Sequence, residues 1–127
     1  MVLAHMVEEV ANEIASLRNL YQAFNRRDFE TVLNLMHGDV DWPNALEGTR
    51  LHGHDAIRAY WNHQLETLDP IVEPQAFTTE NDGRIAIEVH QVVRDKAGKL
   101  VVDQMVGHVY RIRDGLIASM EIRNPKH

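Results

Sequence analysis

The spacing of apolar residues changes once along this chain, and that change limits the folds open to it. In the first part, Val10, Ile14, Leu17, Tyr21 and Phe24 recur three or four residues apart from Val7 onward. That spacing lines one face of an amphipathic α-helix and leaves Glu8, Glu13 and Arg18 for the solvent side. "NRRD" interrupts the stripe, and Asp28 is placed to cap a second, shorter helix carrying Phe29, Val32, Leu33 and Met36. "HGD" closes that helix and "VDW" reads as a short strand. After a loop over Pro43–Gly53, Asp55 falls in the first turn of a third helix. Ile57, Tyr60, Trp61, Gln64 and Leu68 share one side of it, and Pro70 then forces an extended chain.

From "RIAIEVHQVV" the period becomes two: Ile85, Ile87 and Val89 alternate with Ala86, Glu88 and His90, as in a half-buried strand. "KAGK" is a turn, "LVVDQMVGHVYRIR" a long strand, "RDG" a tight turn at Gly115, and "LIASMEIR" the returning strand. There are no internal repeats, low-complexity tracts or linkers. Helix, helix, short strand, helix, then a run of antiparallel strands is an α+β order, with helices covering one face of a curved sheet. At 127 residues the chain reads as a single domain spanning 1–127, long enough to bury a core.

A formal net charge of -6 argues against a nucleic-acid or anionic-membrane surface, which needs a basic patch. No apolar run approaches the roughly 20 residues of a membrane span. The opening "MVLAHMVEEV" turns acidic quickly and does not read as a secretion signal. With no cysteine there is no disulfide framework, no thiolate nucleophile and no cysteine metal site. A cytoplasmic location is the default expectation, and no cofactor is expected.

Three stretches carry a family resemblance: "LYQAFNRRDFETVLNLMHGDVDW", "LHGHDAIRAYW" and "GHVYRIRDGLI". Their order and spacing resemble the nuclear-transport-factor-2-like superfamily, and within it the SnoaL-like and ketosteroid-isomerase-like proteins. The resemblance implies a cone whose curved antiparallel sheet surrounds a central pocket closed by three N-terminal helices. It also implies pairing into a homodimer through the outer sheet face, where Ala86, Glu88, His90, Val101 and Met105 fall.

Ketosteroid isomerases use a general-base Asp after the first strand and an oxyanion hole formed by a first-helix Tyr and a late-strand Asp. Laid along this sequence without gaps, those positions fall on Asn44, near Leu20 (one residue before Tyr21), and on His108. None of the three groups is kept, so steroid isomerisation by that mechanism is not expected. SnoaL-like polycyclic ketone cyclases instead pair a late-strand pocket His with an Asp on the last strand. His108 fits the first role, while the last strand offers Glu121, Ile122, Arg123 and Asn124 for the second. Alternation puts Ala118, Met120 and Ile122 inward and Glu121 outward. The Asp–Arg–Asp set of the superfamily's epoxide hydrolases is not matched, because Asp103 and Arg111 fall on the face opposite His108.

The candidate site follows from these faces. Val106, His108, Tyr110 and Ile112 share one face of the long strand, and an imidazole exchanges protons near neutrality. Trp42 and Asn44 alternate along the first strand, and with Phe24, Tyr60, Trp61, Tyr110 and Met120 they compose a largely apolar small-molecule pocket. The bland alternative is that these aromatics simply fill the core, which is the better reading for Phe24 and Met120. His108 is the candidate acid/base, with Asn44 or Tyr110 orienting a substrate oxygen. The reaction class this suggests is isomerase- or cyclase-type proton transfer on a carbonyl compound; the alternative is a non-catalytic binding or dimerisation module. "HGH" at His52–His54, with His63 beyond, has histidines enough for a metal. It lies in a glycine-containing loop, however, where His54 and Asp55 are better placed to cap the following helix, so no metal is expected. Glu88 and His90 share the outer face and take no site role.

Overall fold

The computed structural model describes residues 2–124. Helix α1 (Val2–Asn25) buries Leu17, Leu20, Tyr21, Ala23 and Phe24, while Met6 and Val7 near its start remain exposed. Helix α2 (Phe29–Asn34) is capped as expected: Asp28 accepts from the Thr31 amide and from the Thr31 hydroxyl. It is shorter than the apolar spacing suggested. Met36 belongs instead to strand β1 (Met36–Asn44), which also takes in "HGD". Tertiary pairing overrides local pattern here, because Met36 and Asp41 pair with Ile117 and Ser119 of the last strand.

The remaining elements are β2 (Thr49–His52), α3 (His54–Gln64), β3 (Leu68–Thr79), β4 (Ile85–Asp95), β5 (Leu100–Arg113) and β6 (Leu116–Arg123). The single sheet has the order β2-β1-β6-β5-β4-β3. All its neighbours are antiparallel except β1 and β6, which run parallel. Strands β2 and β3 are the edges, where the sequence pattern suggests a loop and merely extended chain. β2 is short and polar, and β3 contains Pro70 and Pro74, which an edge strand tolerates because a missing N–H breaks no central ladder. Leu68 pairs with Asp95 of β4 and so opens β3 rather than closing the stripe of α3.

Helices and sheet are joined by specific polar ties. Asn25, at the end of α1, donates to the Val72 carbonyl (2.8 Å) and accepts from the Val72 amide (3.0 Å), so its side chain acts as a short piece of neighbouring strand for β3. His54 does not cap α3, whose N-cap Gly53 makes no side-chain cap bond. Its Nε2 instead meets the Met36 and His37 carbonyls, each at 3.1 Å, and fastens α3 to β1. Asp55 does lie in the first turn of α3.

A bulge in β6 decides which of its residues face the core. Pairing passes from Arg111 opposite Ser119 to Ile112 opposite Ile117, so Ala118 is the extra residue. Ile117, 1% exposed, takes the inward place that simple alternation gave to Ala118. Beyond the bulge Met120 and Ile122 resume the inward row, opposite Tyr110 and His108. The core then runs from α1 and α2 through β1 and α3 onto the inner faces of β4, β5 and β6. Among the described residues no helix is long and apolar enough to cross a membrane.

Candidate functional site

Strand β5 turns Val106, His108 and Tyr110 to the inner face, opposite Val89, Ile87 and Ile85 of β4. Helix α1 lays Leu20, Tyr21 and Phe24 over them, and α3 adds Tyr60, Trp61 and Gln64 from the side. With Trp42, Met120 and Ile122 these residues bound a cavity of about 100 Å³. Trp42 and Trp61 meet edge to face, with centroids 5.9 Å apart, and Trp61 also packs on Phe24 at 5.3 Å. No Asp, Glu, Lys or Arg lines the cavity among the described residues.

Its polar end is one connected group. The Tyr21 hydroxyl lies 2.8 Å from His108 Nδ1 and 2.9 Å from the Tyr110 hydroxyl. Burial pushes His108 down to about 4, because an imidazolium there loses its water without gaining a counter-charge. Burial also raises both tyrosines, with Tyr110 adding to the effect on Tyr21 and the Tyr21 hydrogen bond opposing it on Tyr110. All three groups are therefore uncharged at pH 7. His108 Nε2 has no hydrogen-bond partner among the described residues, and no fully buried side-chain polar atom among them lacks one. Nε2 therefore borders the cavity, within reach of whatever enters it.

The family model described as SnoaL-like domain matches residues 17–120. The chain belongs to the SnoaL-like domain family. Among solved structures it is similar to a nuclear-transport-factor-2-like protein of unknown function from Burkholderia pseudomallei K96243. The two are 26% identical, with a TM-score of 0.78 over 90% of this chain and 91% of that one. TerC, co-crystallised with polyporic acid, is also 26% identical, with a TM-score of 0.78 over 90% of this chain and 92% of its own. A Mycobacterium tuberculosis protein in complex with estradiol-17beta-hemisuccinate shares the fold at 19% identity, with a TM-score of 0.74 over 86% and 90% of the two chains. No curated protein matches the chain.

Within this SnoaL-like fold, Trp42, Tyr60, Trp61, His108, Tyr110 and Met120 all line the one cavity. Asn44 does not. It is buried, but its Oδ1 accepts from the Leu46 and Glu47 amides, each at 3.1 Å, and so shapes the turn between β1 and β2. An asparagine followed by a turn satisfies that turn's free amides, and the Asn44 carbonyl oxygen is engaged there rather than offered to a ligand.

Tyr21 has a role at this site that its place in the α1 stripe does not announce. The available signal was its hydroxyl, since a buried tyrosine must find a hydrogen-bond partner. No last-strand carboxylate joins the site of this SnoaL-like chain: Glu121 stands opposite Val109 on the outer face and meets Arg84 at 3.4 Å. Asp103 pairs with His90 at 2.7 Å and Arg111 with Asp82 at 3.5 Å, both away from His108. The three histidines of β2 and α3 diverge: His52 approaches Asp41, His63 approaches Glu66, and His54 meets the β1 carbonyls.

Proposed function

We propose that this SnoaL-like protein takes a small, mostly apolar carbonyl compound into the cavity and catalyses isomerase- or cyclase-type proton transfer on it. His108 is the acid/base group. The observation that carries this reading is one buried imidazole, held by Tyr21 at Nδ1, with its other nitrogen bordering an aromatic cavity. Trp42, Trp61 and Met120 supply apolar walls, and Tyr110 and Tyr21 fix the ring. The TerC complex with polyporic acid, on a chain of similar fold and size, supports an organic small-molecule ligand.

A second reading, binding without turnover, is favoured by one observation: no carboxylate lines the cavity among the described residues. An imidazole depressed to about 4 is also a weak base at neutral pH. Exchange of α-protons of cyclohexanone in D2O, followed by NMR, separates the two. His108→Gln is expected to lower exchange by about 10²- to 10⁴-fold, the usual contribution of a positioned acid/base, with affinity changing by less than about tenfold. Bound ketone with no exchange in the parent protein leaves the binding module; exchange unchanged in the variant removes His108 from the chemistry.

The same reading includes a homodimer formed through the outer sheet face and a cytoplasmic setting. Val101 and Met105 are exposed there, near the His90–Asp103 pair, a mixture of apolar and polar groups suited to a partner surface. Light scattering is expected to return twice the 14.6 kDa chain mass at micromolar concentration. A monomer would exclude the dimer.

A further inference from the structure

The Tyr110–Tyr21–His108 chain can run in two directions, and each offers a ligand the opposite hydrogen-bonding group. In one, Tyr110 donates to Tyr21, Tyr21 donates to Nδ1, and the imidazole proton sits on Nε2 as a donor. In the other, Nδ1–H donates to Tyr21, Tyr21 donates to Tyr110, and Nε2 offers only a lone pair. A neutral imidazole carries one N–H, so the two are exclusive.

Burial favours the first direction, because each direction leaves one donor without a protein acceptor: Nε2–H on His108, 8% exposed, or the O–H on Tyr110, 1% exposed. The Tyr110 hydroxyl has Tyr21 as its hydrogen-bond partner and no other among the described residues. Running outward from His108, the chain would end on a Tyr110 proton with no protein acceptor, in a residue only 1% exposed. Running inward, both hydroxyl protons reach acceptors, and the single donor left over is Nε2–H at the cavity. Intrinsic acidity agrees: a phenol is a stronger acid than a neutral imidazole N–H, and an imine-type nitrogen is a stronger base than a phenol oxygen. O–H···N is thus the better bond at the 2.8 Å contact. Each bond in such a chain also polarises the next.

We infer that His108 meets its ligand as an Nε2–H donor fixed by Tyr21 and Tyr110, so that the site selects neutral hydrogen-bond acceptors of about one small ring. This rests on the cavity being the ligand site. Tyr21 and Tyr110 are then positioning residues, which set the tautomer and acidity of an imidazole that touches the ligand. Neutrality follows from the absence of any charged side chain in the lining among the described residues, since a buried ligand charge would go uncompensated. Size follows from the volume: about 100 Å³ is on the scale of the engineered cavity of about 150 Å³ that takes up benzene. The acceptor is a ketone, enone or similar carbonyl oxygen, whose lone pair takes the Nε2–H hydrogen bond.

The donor direction is testable without any ligand. In protein labelled with 15N-histidine, long-range proton–nitrogen spectra at pH 7 are expected to show His108 with a protonated Nε2 and a bare Nδ1. The signal is assigned by its absence in His108→Gln or by proton contacts to Tyr21. A protonated Nδ1 overturns the donor direction and leaves the cavity reading intact. Tyr21→Phe is expected to move the Nδ1 resonance toward that of an imidazole without a donor, which a purely space-filling Tyr21 would not do.

Selectivity is read with two five-membered rings, cyclopent-2-enone as acceptor and pyrrole as donor, titrated by NMR. The enone is expected to bind at least tenfold more tightly, with the ratio shrinking in Tyr21→Phe. Pyrrole binding as well as the enone overturns the acceptor selectivity. Failure of both to bind at millimolar concentration overturns the ligand class together with the cavity reading, while the tautomer stands on its own spectrum.

Discussion

Replacing Trp61 by alanine is expected to cost about 3–5 kcal/mol of stability, the range for removing a buried Phe or Trp side chain. Trp61 is 4% exposed on α3, and three other rings rest on it: Phe24 at 5.3 Å, Phe29 at 5.1 Å and Trp42 at 5.9 Å. Those rings come from α1, α2 and β1, so one side chain joins the helical layer to the first strand. Against a total of about 5–15 kcal/mol for a domain of this size, the loss is a large share. Trp61→Phe keeps an aromatic edge for its neighbours and is expected to lose less than half as much. Urea unfolding followed by far-UV circular dichroism reads both variants without depending on the removed fluorophore. A loss below about 1 kcal/mol for the alanine variant would mean that the neighbouring rings close over the gap.

The second half of the fold was legible because strands β4, β5 and β6 write their burial directly into the sequence. Ile85, Ile87 and Val89 alternate inward, and the bounds of β5 and β6 coincide with "LVVDQMVGHVYRIR" and "LIASMEIR". What escaped was chain whose structure depends on a distant partner. β1 extends back to Met36 because β6 lies beside it, and β2 and β3 are edges whose polar residues and prolines carry no period. The bulge at Ala118 has no local mark either, and only pairing with β5 reveals that Ile117 replaces Ala118 inside.

Strand parity points Trp42, His108, Tyr110 and Met120 inward, the helix stripe does the same for Tyr60 and Trp61, and all six line the cavity. Parity says which face a side chain leaves from and nothing about where its polar atoms go. For that reason Asn44, inward by parity, turned to the Leu46 and Glu47 amides. Tyr21 shows the converse: its stripe marks it as core, and its hydroxyl lies at the centre of the polar group. The spacing of eighty-seven residues between Tyr21 and His108 puts their hydrogen bond beyond any local pattern.

Acid should destabilise this protein through His108, with a sign and window set by its burial. In the unfolded chain the imidazole titrates near its ordinary 6.5, whereas folding pushes it down to about 4. Between those values the unfolded state binds a proton that the folded state does not, so stability rises with pH and is lost as pH falls. The contribution is fully present above about 6.5 and is lost by about 4. At about 1.4 kcal/mol per pH unit the interval amounts to about 3 kcal/mol. Carboxylates titrate over part of the same range, so the quantity to measure is the difference between the parent and His108→Gln, in which they are common. Urea unfolding from pH 7.5 to 4.0 is expected to give the parent a steeper loss, with the gap between the two closing or reversing by about 3 kcal/mol across the series. Parallel curves would mean that His108 takes up its proton in the folded state, through an opening of the cavity to water or an unrecognised counter-charge, and the neutral imidazole on which the proposed chemistry depends would fall with that result.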